Sequence, residues 1–331
     1  MSAVDGKTIL ITGGTGSFGK TCIKKLLSEN KPKTVRIFSR DELKQWEMQR
    51  EFNNDPRLRF LIGDVRDAVR VKRATEGVDV VIHAAAMKQV PACEYNPMEA
   101  IKTNVDGAMN VINACLDNDV PKVIALSTDK AASPVNLYGA TKLCSDRLFI
   151  QSNSYRGPKR KTIFSVVRYG NVMGSRGSVI PLFRKQKKEG KLTITDERMT
   201  RFWITLPQAV DLVLTSLEIM QGGEMFVPKI PSMKIVDLAK TIAPEAFCRV
   251  IGIRPGEKLH ECLVTKEEGR TAYEMKDRYI VLSPSLEGMQ HHVKHYKGAK
   301  KLAEGFEYHS HTNEAQLSAT QMTALLAEHD L

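Results

Sequence analysis

Short apolar runs alternate with amphipathic stretches through the first half of the chain. Residues 8–12, 34–38, 58–62, 78–84, 122–127 and 162–168 are mostly continuous apolar segments, as expected of strands covered on both faces. Between them, 18–30, 41–53, 97–117 and 137–155 carry helical patterning. The repetition predicts an α/β fold built on a doubly wound parallel sheet. After about Arg168 the rhythm breaks, with Gly and Pro punctuating 170–181 and again at Pro207, Gly222, Gly223, Pro228 and Pro231. A smaller α+β substrate-binding lobe is expected there. The expected division is 1–169 as the doubly wound domain, joined by a returning helix near 206–220, with 170–205 and 221–331 as the second lobe. A terminal helix is expected over 313–329.

Composition narrows the class. The 331 residues are 42% hydrophobic and 26% charged, enough for an ordinary core and too ordered in pattern for wholesale disorder. No apolar run approaches the roughly 18–20 residues that span a bilayer. The six cysteines include no Cys-x-x-Cys pair, which reads as reduced thiols and a cytoplasmic protein. A net charge of +11 favours anionic partners. The densest basic cluster, Arg184-Lys185-Gln186-Lys187-Lys188, lacks interleaved aromatics and reads as a solvated helix face, so no nucleic-acid partner is expected.

The first apolar run ends in Gly13-Gly14-Thr15-Gly16-Ser17-Phe18-Gly19-Lys20-Thr21. Gly13, Gly16 and Gly19 are spaced to turn sharply, admit a pyrophosphate to backbone N–H groups and pack the next helix closely. The same letters satisfy G-x-x-x-x-G-K-T, the phosphate loop of nucleotide hydrolases, with Lys20 and Thr21 as its functional residues. The loop alone does not choose. A hydrolase needs a later strand ending in a metal-holding Asp, whereas 78–84 runs into His83-Ala84-Ala85-Ala86, small residues beside which a flat ring can lie. The dinucleotide reading is favoured, with contacts at Gly13, Thr15, Gly16, Ser17, Phe18, Gly19, Ala84 and Ala86. Ser39, Arg40 and Lys44 at the second strand end favour NADP, although Asp41 suits either a helix cap or the ribose of NAD. Asp64 and Val65 are placed to flank the adenine.

Tyr138-Gly139-Ala140-Thr141-Lys142 sets a phenol and an ammonium on one helix face. A cation beside the phenol stabilises its phenolate and makes it a usable base. With the glycine loop, His83 to Ala86, Asn104 and the strand end Ser127-Thr128, this pair resembles the extended short-chain dehydrogenase/reductases, a Rossmann-fold family. The resemblance implies that Thr128 hydrogen-bonds the reacting hydroxyl, that Lys142 also holds the nicotinamide ribose, and that Asn104 supports the hydrogen bonding.

Ser127-Thr128-Asp129-Lys130-Ala131 adds a carboxyl and an amine that simple hydride transfer does not use. Elimination of water does use them. Oxidation at C4 of a hexose acidifies the C5 hydrogen, so a base, Lys130, can remove it while an acid, Asp129, protonates the departing C6 hydroxyl. Their proximity favours the opposite charges, and taken alone the pair also reads as a loop cap. The run 127–142, together with Met87-Lys88-Gln89-Val90-Pro91, Tyr169-Gly170-Asn171-Val172, Thr200-Arg201-Phe202-Trp203 and Arg254-Pro255-Gly256-Glu257-Lys258, is similar to the inverting UDP-N-acetylglucosamine 4,6-dehydratases known from pseudaminic-acid biosynthesis. That resemblance implies a redox-neutral dehydration with NADP retained between turnovers, giving UDP-2-acetamido-2,6-dideoxy-β-L-arabino-hexos-4-ulose. It implies substrate contacts at Lys88, Asn171, Arg201, Arg254 and Glu257, and a homo-oligomer, with a hexamer as the suggested form. Two arginines suit a diphosphate, although surface salt bridging is the plain alternative for each.

Competing readings are a UDP-sugar 4-epimerase, a dehydratase that retains C5, a nucleotide hydrolase and a silent cofactor-binding scaffold. Trp203 reads as core. His260-Glu261 begins H-E-x-x-H, but Val264 replaces the second His. His291, His292 and His295, with Glu287 nearby, fit no standard metal spacing and read as surface. No metal is expected.

Overall fold

A computed structural model describes residues 2–157, 159–175, 177–284 and 292–329. The chain runs β1 (Thr8–Thr12), α1 (Ser17–Glu29), β2 (Thr34–Ser39), α2 (Glu42–Glu51), β3 (Leu58–Ile62), α3 (Ala68–Thr75) and β4 (Val80–His83). There follow α4 (Val90–Tyr95), α5 (Pro97–Ile101), α6 (Gly107–Asp117), β5 (Lys122–Thr128), α7 (Leu137–Gln151) and β6 (Ile163–Tyr169). β1 through β6 are parallel, in the spatial order β6-β5-β4-β1-β2-β3. Every residue of β1 and β4 is buried, which is why these runs read as unbroken apolar sequence.

Three local outcomes differ from the periodicity. α3 was not anticipated; Asp67 caps it by accepting from Arg70 N at 2.9 Å. The single helix expected over 97–117 divides into α5 and α6 around a wider helical turn at Lys102–Asp106. That turn carries Asn104 inward, where its side chain bonds both Met87 backbone groups (2.8 and 2.9 Å) and Thr141 Oγ1 (3.0 Å). The terminal helix begins late, at Ala319, because Asn313 and Gln316 bind Ser232 Oγ at 3.2 and 2.9 Å, holding the preceding segment extended.

Beyond β6 come β7 (Asn171–Val172), α8 (Val179–Lys187), β8 (Lys191–Ile194), β9 (Thr200–Ile204) and α9 (Leu206–Ile219). β10 (Glu224–Pro228), β11 (Ser232–Lys234), α10 (Ile235–Ile242), β12 (Phe247–Val250), β13 (Cys262–Val264) and α11 (Lys266–Gly269) follow. The chain continues through β14 (Ala272–Glu274), β15 (Arg278–Leu282), β16 (Lys300–Lys301), β17 (Tyr308–His309) and α12 (Ala319–Glu328). α9 starts at a reciprocal cap between Thr205 and Gln208 and packs on α1. β10 pairs parallel with β6, and β15, β14 and β16 extend the sheet antiparallel, giving ten strands among the described residues. Much of the segment 221–331, read from sequence as second lobe, therefore completes the first. Only pairing in three dimensions reveals this, since antiparallel strands and lobe strands share one local pattern.

The smaller lobe keeps its own core of Ile180, Phe183, Leu192, Trp203, Leu238 and Met322, and Trp203 is buried there. Among the described residues no helix is long and apolar enough to cross a membrane.

Close packing of α1 on the strand loop depends on Gly19: a Cβ there would lie 2.3 Å from the Gly14 carbonyl oxygen. Gly19→Ala is expected to destabilise the fold by about 1–3 kcal/mol, the usual cost of overpacking, read as a lower urea midpoint at unchanged slope.

Candidate active site

Both lobes line one cavity of about 1110 Å³. β1 is followed by the cavity-lining Gly13, whose φ of +67° suits glycine and whose Cβ would sit 2.9 Å from the Ala85 backbone. α1 begins after Gly16 without a side-chain cap, so its first N–H groups are left for a ligand. A bare helix start over a glycine cradle fits the pyrophosphate of a dinucleotide. Lys20 turns away to Glu51 at 2.5 Å, and Thr21 Oγ1 donates to Ser17 O at 3.1 Å, so neither serves as a hydrolase would require. Thr15, Ser17, Phe18, Ser39, Arg40, Lys44, Asp64, Val65, Ala84 and Ala86 all line the same cavity. Lys44 is ion-paired with Asp41, which caps α2, whereas the Arg40 side chain is 61% exposed with Asp64 3.8 Å away.

β5 delivers the reactive cluster. Its last residue, Thr128, donates to Asp129 Oδ1 at 2.9 Å, and a single tight turn over Asp129–Ala131 follows. Lys130 Nζ reaches Asp129 Oδ1 at 3.0 Å and Asn171 Oδ1 at 3.3 Å. α7 abuts this turn because residue 139 is glycine; a Cβ there would lie 2.2 Å from the Lys130 carbonyl oxygen. Asn136 caps α7 by accepting from Gly139 N at 2.7 Å, which sets Tyr138 and Lys142 facing the cavity.

The electrostatics separate these groups. Burial pushes the Tyr138 phenol up to about 12, against the opposing influence of the Lys130 ammonium and the Thr128 hydroxyl. Burial lowers Lys142, partly offset by Asp146 one turn along the helix. Asp146 accepts from Ser127 Oγ at 2.6 Å and lies 3.4 Å from Arg168, which in turn holds Glu268 at 2.8 Å. For Lys130 burial works against the charge, yet Asp129 and Glu261 outweigh it and hold the ammonium above the ordinary lysine value. Lys130 is therefore protonated at rest.

Among the expected site residues, Asp129 stands apart. Its residue is fully buried and does not line the cavity, because the tight turn after β5 points the carboxyl into the protein. It meets the cavity through Thr128 and Lys130.

Lys88, Asn171, Arg201, Arg254 and Glu257 line the same cavity. Partial enclosure and then the neighbouring Lys130 charge hold Lys88 below the usual lysine range. Arg254 is exposed at the rim, 3.9 Å from Glu257. Arg201 differs from the expected phosphate fork: its guanidinium donates to the carbonyls of Thr200 (2.7 Å), Leu259 (3.2 Å) and Lys258 (2.9 Å). Those bonds clamp β9 to the segment before β13.

Among the cavity residues without an assigned role from sequence are Lys258 and Glu261. Glu261 had been set aside with the failed zinc motif; no spacing rule connects it to Lys130. His260 Nδ1 instead contacts Thr200 Oγ1 at 2.8 Å, and its ring stacks on His311. His292 approaches Glu224 at 3.6 Å, while Glu287 and His291 lie outside the described residues. Among the described residues, no three His, Cys, Asp or Glu side chains are grouped to hold a metal ion.

Comparison with known proteins agrees with this geometry. The chain is 54% identical, over 97% of both chains, to a Campylobacter jejuni protein named UDP-N-acetylglucosamine 4,6-dehydratase (inverting). It is 47% identical, over 97% of its own length and 95% of the relative's, to a Rickettsia conorii protein named UDP-glucose 4-epimerase. The crystal structure of Pen from Bacillus thuringiensis superposes with a TM-score of 0.90 at 42% identity, covering 98% of each chain. A dTDP-glucose 4,6-dehydratase of Streptomyces venezuelae shares the fold at a TM-score of 0.68 and 24% identity, over 76% of this chain and 86% of that one. Residues 9–283 match the family model described as polysaccharide biosynthesis protein, and the chain belongs to that family of extended short-chain dehydrogenase/reductase enzymes.

Proposed function

We propose that the protein is an NADP-dependent UDP-N-acetylglucosamine 4,6-dehydratase that inverts C5. The observation that carries this reading is the Lys130–Asp129 ion pair at the end of β5, beside Tyr138 and between the two lobes. The relatives' names agree on a UDP-sugar and differ on what is done to it: dehydration for one, epimerisation at C4 for the other. Epimerisation asks only for proton and hydride exchange at C4, whereas a second acid–base pair suits loss of water.

The glycine cradle and the open start of α1 would hold the cofactor's pyrophosphate, and Arg40 at the rim would hold a ribose 2′-phosphate. Lys44, already paired with Asp41, is left out of that contact. When bound, the cofactor would supply a reversible hydride acceptor for the sugar carbons C4 and C6. Lys142 and the positive ring of the bound cofactor would favour the Tyr138 phenolate over its resting phenol, and as phenolate Tyr138 takes the C4 hydroxyl proton, with Thr128 hydrogen-bonding the same oxygen and Lys142 holding the nicotinamide ribose. The resting charges of Lys130 and Asp129 are the wrong ones for elimination. Moving the proton across their 3.0 Å contact yields an amine and a carboxylic acid in one step. Lys130 then removes the C5 proton. The departing C6 oxygen receives the Asp129 proton through the cavity-lining hydroxyl of Thr128, since Asp129 itself is covered. Lys130 and Asp129 finish as they began, as ammonium and carboxylate. Reprotonation of C5 from the opposite face uses the proton that Tyr138 took from the C4 hydroxyl, which sets the inverted product and returns Tyr138 to phenolate.

Lys88 and Arg254 are the cations open to the nucleotide diphosphate, Glu257 faces the ribose or sugar, and Asn171 steadies Lys130. A cytoplasmic homo-oligomer completes the reading; its support is the family resemblance. The pseudaminic-acid route is placed on the same ground.

Incubation with UDP-N-acetylglucosamine should give a product lighter by one water, and in D₂O the product should carry deuterium at C5. A product of unchanged mass would make the protein an epimerase. Lys130→Ala should abolish water loss, a drop of about 10²–10⁴-fold, while bound NADP is retained; dehydration at the original rate in this variant removes Lys130 as the base. Arg40→Ala should weaken NADP by roughly 10- to 100-fold, the worth of a charged hydrogen bond, and leave NAD binding unchanged in calorimetry. Equal loss for both cofactors would take Arg40 away from the 2′-phosphate.

A further inference from the structure

Glu261 lies just ahead of β13 and is 2% exposed, and its carboxylate makes only long ion pairs. Its Oε1 is 3.5 Å from Lys130 Nζ and 3.6 Å from Arg201 Nε; its Oε2 is 3.9 Å from Lys258 Nζ and makes no hydrogen bond. Arg201 is already committed to three backbone carbonyls, and Lys258 donates to the Ala132 carbonyl. The main chain on either side of the carboxylate is fixed: Glu261 N donates to Ser310 Oγ at 2.9 Å and Glu261 O accepts from Ser310 N at 2.9 Å. A rigidly mounted, buried anion thus faces three cations and is bonded tightly to none of them.

We propose that Glu261 is a positioning residue of the dehydration, the fixed anion that keeps Lys130 against Asp129 with one proton between them. This role rests on the dehydratase reading. The groups facing Lys130 are Asp129 on its own turn, Tyr138 on α7, Lys88 after β4, Arg201 on β9, and Lys258 and Glu261 before β13. Without Glu261, a single carboxylate would face four neighbouring cations. Like-charge repulsion would then lower the pH at which Lys130 loses its proton. Above that pH the pair would hold no proton to move, and Asp129 could not act as the acid. With Glu261 present, the amine and acid needed for elimination arise by an internal shift of a proton already held. The distances of 3.5–3.9 Å suit this role, since a tighter bond to Lys130 would compete with Asp129 for that same proton.

The sign of the pH effect follows. Asp129 and Glu261 both raise Lys130, so removing one lets the ammonium lose its proton at lower pH. Glu261→Gln should therefore lower kcat for UDP-N-acetylglucosamine roughly 10- to 100-fold, as for a misplaced catalytic group, with KM little changed. The alkaline limb of its rate profile should move toward neutral pH. Glu261→Asp, which keeps the charge and withdraws it by one methylene, should recover part of kcat and show a smaller shift. Thermal melting and retained NADP, measured on both variants, report the fold separately. Should the glutamine variant fail to fold, the direction and size of the limb shift in the aspartate variant decide the matter. Wild-type kcat and an unmoved alkaline limb in a folded variant would overturn the proposal. A wild-type protein that binds UDP-N-acetylglucosamine yet releases no dehydrated product would overturn the function itself.

Discussion

A lysine enclosed by protein can keep its charge only if anions are fixed close to it, and at Lys130 that requirement organises the surroundings. Desolvation of an ammonium costs several kcal/mol, so two carboxylates converge on this one, Asp129 from its own turn and Glu261 from a distant segment. Both are themselves buried, and each depends on the lysine in return. The arrangement also explains nearby backbone details. Residue 139 is glycine because α7 must touch the Lys130 carbonyl, and the tight turn after β5 exists to bring Asp129 under its neighbour. Removing any one partner strands a charge.

The second lysine of the site is held differently. Lys142 is buried on α7 and leans on Asp146, which is shared with Ser127 and Arg168. Arg168 has no exposed surface and ends on Glu268 in α11. A continuous line of alternating charge thus runs from the cofactor side of the cavity through β6 to the element that precedes the antiparallel extension of the sheet. The two lysines sit in opposite electrostatic settings, one raised and one lowered, although only a short stretch of chain separates them. Environments that push like groups apart are what allow a single cavity to perform both an oxidation and an elimination.

Much of this was legible before any coordinates. Parallel strands buried on both faces must be largely apolar, so β1, β4, β5 and β6 could be read directly, and a turn this tight must be glycine, so Gly13, Gly16 and Gly19 could be read as well. Tyr138 and Lys142 were readable because helical spacing alone puts them on one face. Residues with these signals carry their context locally. Arg201 does not: its type suggested phosphate, but β9 presents it to three carbonyls that must be satisfied. Nor does Asp129, whose reach was set by the turn that follows it.

By itself, then, the sequence determined the sheet, the cradle and the phenol–lysine pair, since each follows from periodicity or from backbone freedom within a few residues. Tertiary structure alone decided that strands between Glu224 and Lys301 widen the first lobe, and that Glu261 stands beside Lys130. The reason is physical: a local pattern states which face a residue turns toward the interior, but not which distant segment will be waiting there. That choice is made by strand pairing and by the need to balance buried charge, and both are properties of the whole fold.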